Sequence, residues 1–227
     1  MDSMSTKDKA MKVEVWSDVM CPFCYIGKRK FEQALAQFAE KDKIHLVWKS
    51  YQLDPTISDS TEKDYRKHLQ QKKGWGDQQS KDILDNVTQM AAGVGLEYHF
   101  EKALVANTFK AHRFAHYAHQ YKMQDAAEEA LFIAHFVAGK DISDNETLAD
   151  MGESIGLKRQ ELLHFLNSDE LSIAVKQDIQ EAEQIGVTGV PFFVFDRKYA
   201  ISGAQDEAVF LNTLSQSFAE WQKSNAS

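Results

Sequence analysis

Apolar and polar residues alternate along residues 12–16, which is the pattern of a strand entering a core. Residues 44–50 are rich in side chains that favour strands. Between these segments, apolar residues recur at spacings of four and three, which predicts a helix from residue 22 to about residue 40. A strand, a helix and a strand in close succession predict a parallel strand pair with a right-handed crossover.

The hydrophobic pattern takes the period of helices from residue 58 to residue 168, with little strand signal. The predicted helices cover residues 60–73, 79–92, 101–121, 125–138, 143–155 and 159–166. Ser143 and Glu146 form a capping box at the start of one of them, and Gly156 is placed as a C-terminal cap. We expect these helices to form an inserted domain.

Strand patterns return near the C-terminus. A helix capped by Ser168 or Asp169 and running to 185 precedes strands at 192–195 and 199–201, and an amphipathic helix covers 206–221. The element order is βαβ, insertion, αββα, which is the thioredoxin topology.

The predicted fold class is therefore α/β, a thioredoxin-like fold with a large all-helical insertion between the second and third strands. The thioredoxin-like domain is discontinuous and comprises residues 12–57 and 169–222. The inserted helical domain comprises residues 58–168, and residues 1–11 are expected to be a mobile tail.

Charge and composition narrow the function classes. Acidic residues outnumber basic ones by 34 to 26 and no basic cluster stands out, so a nucleic-acid partner is not expected. Residues 1–10 lack the apolar region of a secretory signal, and no run has the length of a transmembrane helix. We therefore expect a cytoplasmic protein without membrane association. Two cysteines in such a protein indicate redox or metal chemistry.

Cys21 and Cys24 lie where the first predicted strand gives way to the first helix. Unpaired N–H groups and the partial positive charge of a helix start would stabilise a thiolate at Cys21. Pro22 suits the first helical position because it has no N–H to leave unpaired. Cys24, one turn further on, can close a disulfide with Cys21. We predict that Cys21 is the sulfur that attacks a substrate disulfide and that Cys24 is the one that resolves the mixed disulfide.

Two other interpretations of the cysteine pair remain open. Two thiolates are half of a metal or iron–sulfur site, which a homodimer or added ligands would have to complete. The cysteines could also be structural and inert. His112, His116 and His119 share one helical stripe with spacing that suits a metal, but no clear further ligand lies nearby, so we predict packing and no metal site.

Pro191 directly precedes the third strand, in the segment Thr188-Gly189-Val190-Pro191. In the thioredoxin topology this position holds a proline with a cis peptide bond, packed against the dithiol. Val190 would then offer its backbone N–H and C=O to an extended substrate segment. The alternative is an ordinary proline at the start of an edge strand.

The segment from Ser17 to Gly27, with its Cys-Pro-Phe-Cys motif, resembles the active-site segment of DsbA-family thioredoxin-fold oxidoreductases, and most closely the cytosolic FrnE-like branch. Residues 186–193 and 202–205 are similar to the C-terminal half of that family, and the resemblance covers about residues 12–221. Within the insertion, Asn107-Thr108, Ala111-His112-Arg113 and residues 131–142 are also similar. The resemblance implies a thiol–disulfide oxidoreductase or a disulfide isomerase.

The resemblance also implies the roles of individual residues. The expected catalytic residues are Cys21, Cys24 and Pro191, and the expected substrate-binding residues are Val190, Pro22, Phe23, Asn107 and His112. Protein or small-molecule thiols and disulfides are the expected partners of a monomer or homodimer. No cofactor is expected beyond the redox-active disulfide, with glutathione as a candidate co-substrate.

Two departures and two alternatives accompany the resemblance. Pro-Phe replaces the Pro-His of strongly oxidising periplasmic members, which predicts a less oxidising disulfide, and His135 stands where an aromatic residue is more usual. Related glutathione-dependent enzymes, the 2-hydroxychromene-2-carboxylate isomerases and kappa-class transferases, keep a single Ser at the position of Cys21, so the two cysteines argue against that class. The other alternative is a non-enzymatic cluster-binding or chaperone-like protein.

Overall fold

A computed structural model describes residues 10–58 and 64–225. The strands are β1 (Met11–Ser17), β2 (Ile44–Ser50), β3 (Phe192–Phe195) and β4 (Tyr199–Ser202). The α-helices are α1 (Pro22–Gln37), α2 (Tyr65–Lys73), α3 (Asp77–Ala92), α4 (Phe109–Gln120), α5 (Gln124–Phe132), α6 (Asn145–Ser154), α7 (Arg159–Leu166), α8 (Ser172–Gln184) and α9 (Glu207–Asn225). A 3₁₀ turn at Lys41–Lys43 precedes β2, and a π-helical turn at Ile133–Val137 extends α5.

The four strands form one sheet in the order β2-β1-β3-β4. The strands β1 and β2 are parallel, with Val15 opposite Trp48, while β3 runs antiparallel to both β1 and β4. This arrangement confirms the predicted α/β fold class, because the βαβ and αββα halves share a sheet and a run of helices separates β2 from β3.

The core is continuous between the sheet and the inserted helices. The larger cluster of buried apolar residues includes Val15 of β1 and Phe31 of α1 together with Phe132, Phe136 and Phe165 of the insertion. A smaller cluster around Trp16 and Ala182 lies between the sheet and α8. The residue boundaries of two separate domains therefore remain a prediction from the sequence.

The predicted helix over 101–121 is wrong in its first third. The chain has no helix between residues 96 and 108, and α4 begins at Phe109. The side-chain oxygen of Asn107 accepts the Phe109 N–H at 2.9 Å, which satisfies a backbone donor at the helix start. The helical pattern of apolar residues predicted a helix through residues 101–108, because such a pattern carries no information about this local hydrogen bond.

Two other helix starts differ from prediction. Asp144 caps α6 by accepting the Thr147 N–H at 2.8 Å, so the predicted capping box at Ser143 is wrong, although Gly156 does end the helix with φ +95°. The helix predicted from residue 168 or 169 begins only at Ser172, after Leu171 adopts φ +62°.

The end of the predicted tail and the start of the predicted insertion both lie next to residues outside the described part. Met11 belongs to β1 and is buried, so the strand begins before the predicted end of the tail, and residues 1–9 lie outside the described part. The start of the helix predicted at residue 60 also lies outside it, and the described helix begins at Tyr65. None of the helices in residues 10–58 and 64–225 combines the length and apolarity needed to cross a bilayer.

Candidate active site around Cys21 and Cys24

Cys21 is the N-cap residue of α1, in an extended conformation at the end of a tight turn that leaves β1. The Cys21 N–H donates to the Asp18 carbonyl at 2.9 Å, and the Cys24 N–H donates to the Cys21 carbonyl at 3.0 Å. Pro22 follows at the first helical position, and the first turn carries no acidic residue. The helix start therefore presents its positive end to the Cys21 sulfur, and the nearby Asp18 carboxylate lies in the turn before the helix rather than in its first turn.

The two cysteines are free thiols with different environments. Cys21 is 5% exposed and Cys24 is 1% exposed. Burial raises the pKa of Cys24 well above its ordinary value, and the neighbouring Cys21 raises it further, while the Ser17 hydroxyl and the Asp18 backbone partly oppose the rise. Cys24 is thus held as a thiol at neutral pH.

The Val190–Pro191 peptide bond is cis, as predicted from the sequence. The Cys21 thiol donates to the Val190 carbonyl at 3.4 Å, so the backbone before Pro191 lies directly against the candidate nucleophile. A Cβ added to Gly27 would lie 2.9 Å from Cγ of Pro191. The lack of a side chain at Gly27 therefore lets α1 approach the proline closely.

The predicted substrate-binding residues fall into two groups. Phe23 is 38% exposed, and Pro22 and Val190 are half-buried, so these three lie at the surface beside the thiols. Asn107 instead donates to the Ile57 carbonyl at 2.8 Å and so holds the connection after β2. Its substrate contact, like that of the first group, remains a prediction.

His112 lies beneath the active-site turn rather than on an open surface. It is 1% exposed, and its Nε2 atom is 3.6 Å from Oδ1 of Asp18. Burial lowers the pKa of His112, but the nearby Asp18 carboxylate, together with the Glu128 charge and the Tyr51 backbone, more than compensates, so the pKa is raised. The substrate-binding role of His112 remains a prediction.

Asp18 was not predicted as a site residue. Its carboxylate is buried and accepts the Leu53 N–H at 2.7 Å and the Met20 N–H at 3.4 Å, which ties the turn before Cys21 to the segment after β2. An acidic residue within an otherwise apolar stretch, three positions before a cysteine, is the signal that could have indicated it.

The three histidines of the predicted stripe have different partners. His116 is 2.9 Å from the Asp178 carboxylate, and His119 is 3.1 Å from the Gln124 side-chain oxygen. Across the two described ranges there is no group of three or more metal-ligating His, Cys, Asp or Glu side chains.

A model of the DSBA-like thioredoxin domain family matches residues 12–215. The chain belongs to this family. It is 36% identical to the probable DsbA oxidoreductase SCO1869 from Streptomyces coelicolor, with a TM-score of 0.88 and coverage of 92% of this chain and 91% of that one. It is also 26% identical over 208 residues to the uncharacterised protein YwbO of Bacillus subtilis, covering 89% of this chain and 95% of that protein.

More distant structures share the fold of this DsbA-like protein. The cytosolic disulfide reductase DsbM from Pseudomonas aeruginosa, solved with GSH, has a TM-score of 0.60 at 13% identity and covers 95% of this chain and 100% of its own. A 2-hydroxychromene-2-carboxylate isomerase has a TM-score of 0.65 at 17% identity, with coverage of 96% and 100%. At these identities the likeness concerns the fold alone.

Proposed function

We propose that this DsbA-like protein is a thiol–disulfide oxidoreductase acting through Cys21 and Cys24. The observation that supports it best is the contact of the Cys21 thiol with the Val190 carbonyl, 3.4 Å away, at the start of α1. A sulfur at a helix start can react as a thiolate, and the adjacent backbone of Val190 can pair with an extended substrate.

In the reductive direction, the Cys21 thiolate attacks one sulfur of a substrate disulfide and the other sulfur leaves as a thiolate, forming a mixed disulfide. Cys24 then loses its proton and attacks the Cys21 sulfur, which releases the second substrate thiol. Two electrons pass from the dithiol to the substrate. The raised pKa of Cys24 assigns the steps, because a protonated Cys24 does not compete for the first attack.

The division of roles is tested with serine variants and oxidised glutathione. Cys21→Ser should abolish reduction of the disulfide, whereas Cys24→Ser should accumulate the mixed disulfide, seen as a mass increase of one glutathione. Normal turnover by Cys21→Ser would overturn the proposal. Since the chain has only two cysteines, each variant retains a single thiol and the mass shift is unambiguous.

The direction of the reaction is tested by titrating the pair in glutathione buffers and alkylating the free thiols. A potential near roughly −200 mV or above would favour an oxidase or isomerase, and one near roughly −270 mV a reductase. The Pro-Phe dipeptide favours the more negative, less oxidising of these two potentials. Absence of any intramolecular disulfide would contradict the dithiol mechanism.

A glutathione-dependent isomerase or transferase is the alternative enzyme class, and the shared fold does not separate it from the dithiol enzyme. The pair of cysteines favours dithiol exchange, because a glutathione-dependent enzyme needs only one nucleophilic or polar side chain, at the position of Cys21. Calorimetry with reduced glutathione and the Cys21→Ser variant distinguishes them: tight binding together with isomerase activity would favour the alternative.

The FrnE-like branch and a cytoplasmic location are further parts of this proposal. The Cys-Pro-Phe-Cys motif supports the branch, and the fold shared with a cytosolic reductase is compatible with the location. Fractionation of cells expressing the native gene, followed by immunoblotting, would contradict this location if the protein were recovered outside the cytoplasm.

A further inference from the structure

Two tyrosine hydroxyl groups from the inserted helical region reach the backbone on either side of Cys21. Tyr65, the first residue of α2, donates to the Met20 carbonyl at 3.0 Å. Tyr98, in the non-helical segment between α3 and α4, donates to the Pro22 carbonyl at 2.7 Å. The two acceptors are the residues immediately before and after Cys21, so the cysteine lies between two fixed points.

The tyrosine rings are themselves held by neighbouring aromatic rings. Tyr98 stacks on Phe136 with ring centroids 4.7 Å apart, and Tyr65 stacks on Phe100 at 5.4 Å. Phe100 also meets Tyr98 edge to face at 5.5 Å. Both tyrosines are buried. Their hydroxyl groups are therefore pre-positioned, and little side-chain freedom is lost when they bond to the turn.

Both hydroxyl groups are protonated at physiological pH and can therefore donate to the turn. Burial raises the pKa of Tyr65 and of Tyr98, and the charge of Cys21 is the next contribution for each. That contribution reflects the closeness of both phenol groups to the Cys21 sulfur. Burial thus keeps both tyrosines protonated, a thiolate at Cys21 disfavours their ionisation further, and their hydrogen bonds to the turn are preserved.

We propose that Tyr65 and Tyr98 are positioning residues that hold the Cys21 backbone so that its sulfur faces the Val190 carbonyl and the start of α1. This inference rests on the proposed function, since it concerns the geometry from which Cys21 attacks. The inserted region would then contribute to the reactivity of the cysteine as well as to the shape around it.

The test uses the Cys24→Ser protein, in which Cys21 is the single cysteine. Its rate constant for mixed-disulfide formation with oxidised glutathione is measured at pH 7 by mass spectrometry. Adding Tyr98→Phe or Tyr65→Phe should lower that rate constant about fivefold each, the factor corresponding to roughly 1 kcal/mol for one hydrogen bond. The double Phe variant should lose about 25-fold if the two bonds act independently.

Tyr117→Phe is the matched control. Tyr117 is also a buried tyrosine of the insertion, and its hydroxyl lies 3.2 Å from that of Tyr121, the residue after α4, whereas Tyr65 and Tyr98 bond to the active-site turn. It should lose comparable thermal stability while its rate constant stays within twofold of the parent.

A rate constant that is unchanged or increased in both Tyr65→Phe and Tyr98→Phe would overturn the positioning role, as would an equal fall in Tyr117→Phe. Each substitution keeps the ring, and the two sites are tested separately, so misfolding of one variant leaves the other as the test. If the parent forms no mixed disulfide at all, the proposed function fails instead, so the two failures are distinguishable.

Discussion

Gly139 and Gly74 have similar backbone conformations in different surroundings, with φ +61° and φ +68°. A Cβ added at Gly139 would lie 2.5 Å from the Lys102 carbonyl oxygen, whereas one at Gly74 would meet nothing within 4 Å. Lys102 belongs to the non-helical segment that also carries Tyr98. The close approach at Gly139 therefore helps to place that segment against the rest of the chain.

Gly74→Ala should lower the free energy of unfolding by about 1 kcal/mol, because alanine is disfavoured at positive φ. Gly139→Ala should lower it by a further 1–3 kcal/mol or so, because the added methyl group meets backbone that must move. Urea denaturation of both variants at 25 °C measures the difference. Equal losses of unfolding free energy in the two variants would show that the Lys102 backbone moves aside without destabilising the fold.

At the scale of single residues, the sequence revealed the chemistry that is local in the chain. Cys21 and Cys24 stand one helical turn apart, and Pro191 directly precedes a strand, so their pattern could be interpreted without a structure. Asp18 and Tyr98 could not be placed in the same way. Asp18 lies near Cys21 in the chain, but its bond to Leu53, like that of Tyr98 to Pro22, crosses the fold, and hydrophobic periodicity carries no information about such bonds.

Helices α1 and α5 are joined by a partly buried group of charges. Lys28 of α1 is 2% exposed, and its Nζ atom lies 3.0 Å from Glu129 and 3.5 Å from Asp125 of α5. Glu129 also pairs with Arg29 and accepts the Tyr25 hydroxyl at 2.5 Å. Glu129 therefore connects the active-site helix to the insertion through three side chains.

Glu129→Gln should lower the free energy of unfolding by about 2 kcal/mol, because it weakens the charged hydrogen bonds to Lys28 and Arg29 while Glu32 and Asp125 still compensate the buried Lys28 ammonium. Glu161→Gln is the control: it removes the same charge from an exposed pair with Lys158 and should cost less than about 1 kcal/mol. Denaturant unfolding of both proteins at pH 7 gives the comparison. A loss from Glu129→Gln no larger than that of the control would contradict the role assigned to the network.

At the scale of the whole molecule, the order of hydrophobic patterns predicted the sheet and the inserted helices. It could not predict how the insertion packs, because helices of similar amphipathicity can meet in many ways. The continuous core joining Phe31 to Phe132 and the tyrosine contacts with the active-site turn became visible only in the structure. The least predictable part of the site is thus the part supplied by the insertion.

Two buried groups beneath the active site should make the stability of the whole molecule depend on pH in opposite directions. Burial raises the pKa of Glu128 from 4.5 to about 7, an effect that the nearby His112 partly opposes. Burial lowers the pKa of His135 from 6.5 to about 4, and neither of its ring nitrogens has a hydrogen-bond partner among the described residues.

Between pH 4.5 and 7, folded Glu128 keeps a proton that the unfolded chain has released, so its contribution to stability falls as the pH rises. Between pH 4 and 6.5, unfolded His135 binds a proton that the folded protein does not, so its contribution rises with pH. Each slope is about 1.4 kcal/mol per pH unit. The two should largely cancel where their ranges overlap.

Single substitutions should separate the two slopes. His135→Phe removes the rising contribution, so between pH 4.5 and 6.5 its free energy of unfolding should fall by about 3 kcal/mol relative to the parent. Glu128→Gln mimics the protonated acid and should rise by about the same amount over that range. Urea denaturation at several pH values measures both differences, in which the remaining groups largely cancel. Curves that run parallel to the parent would mean that neither group titrates across its predicted range. If only one variant differs from the parent, the group replaced in the other variant lacks the shifted pKa assigned to it. A local opening of the fold around that group would then relieve its burial.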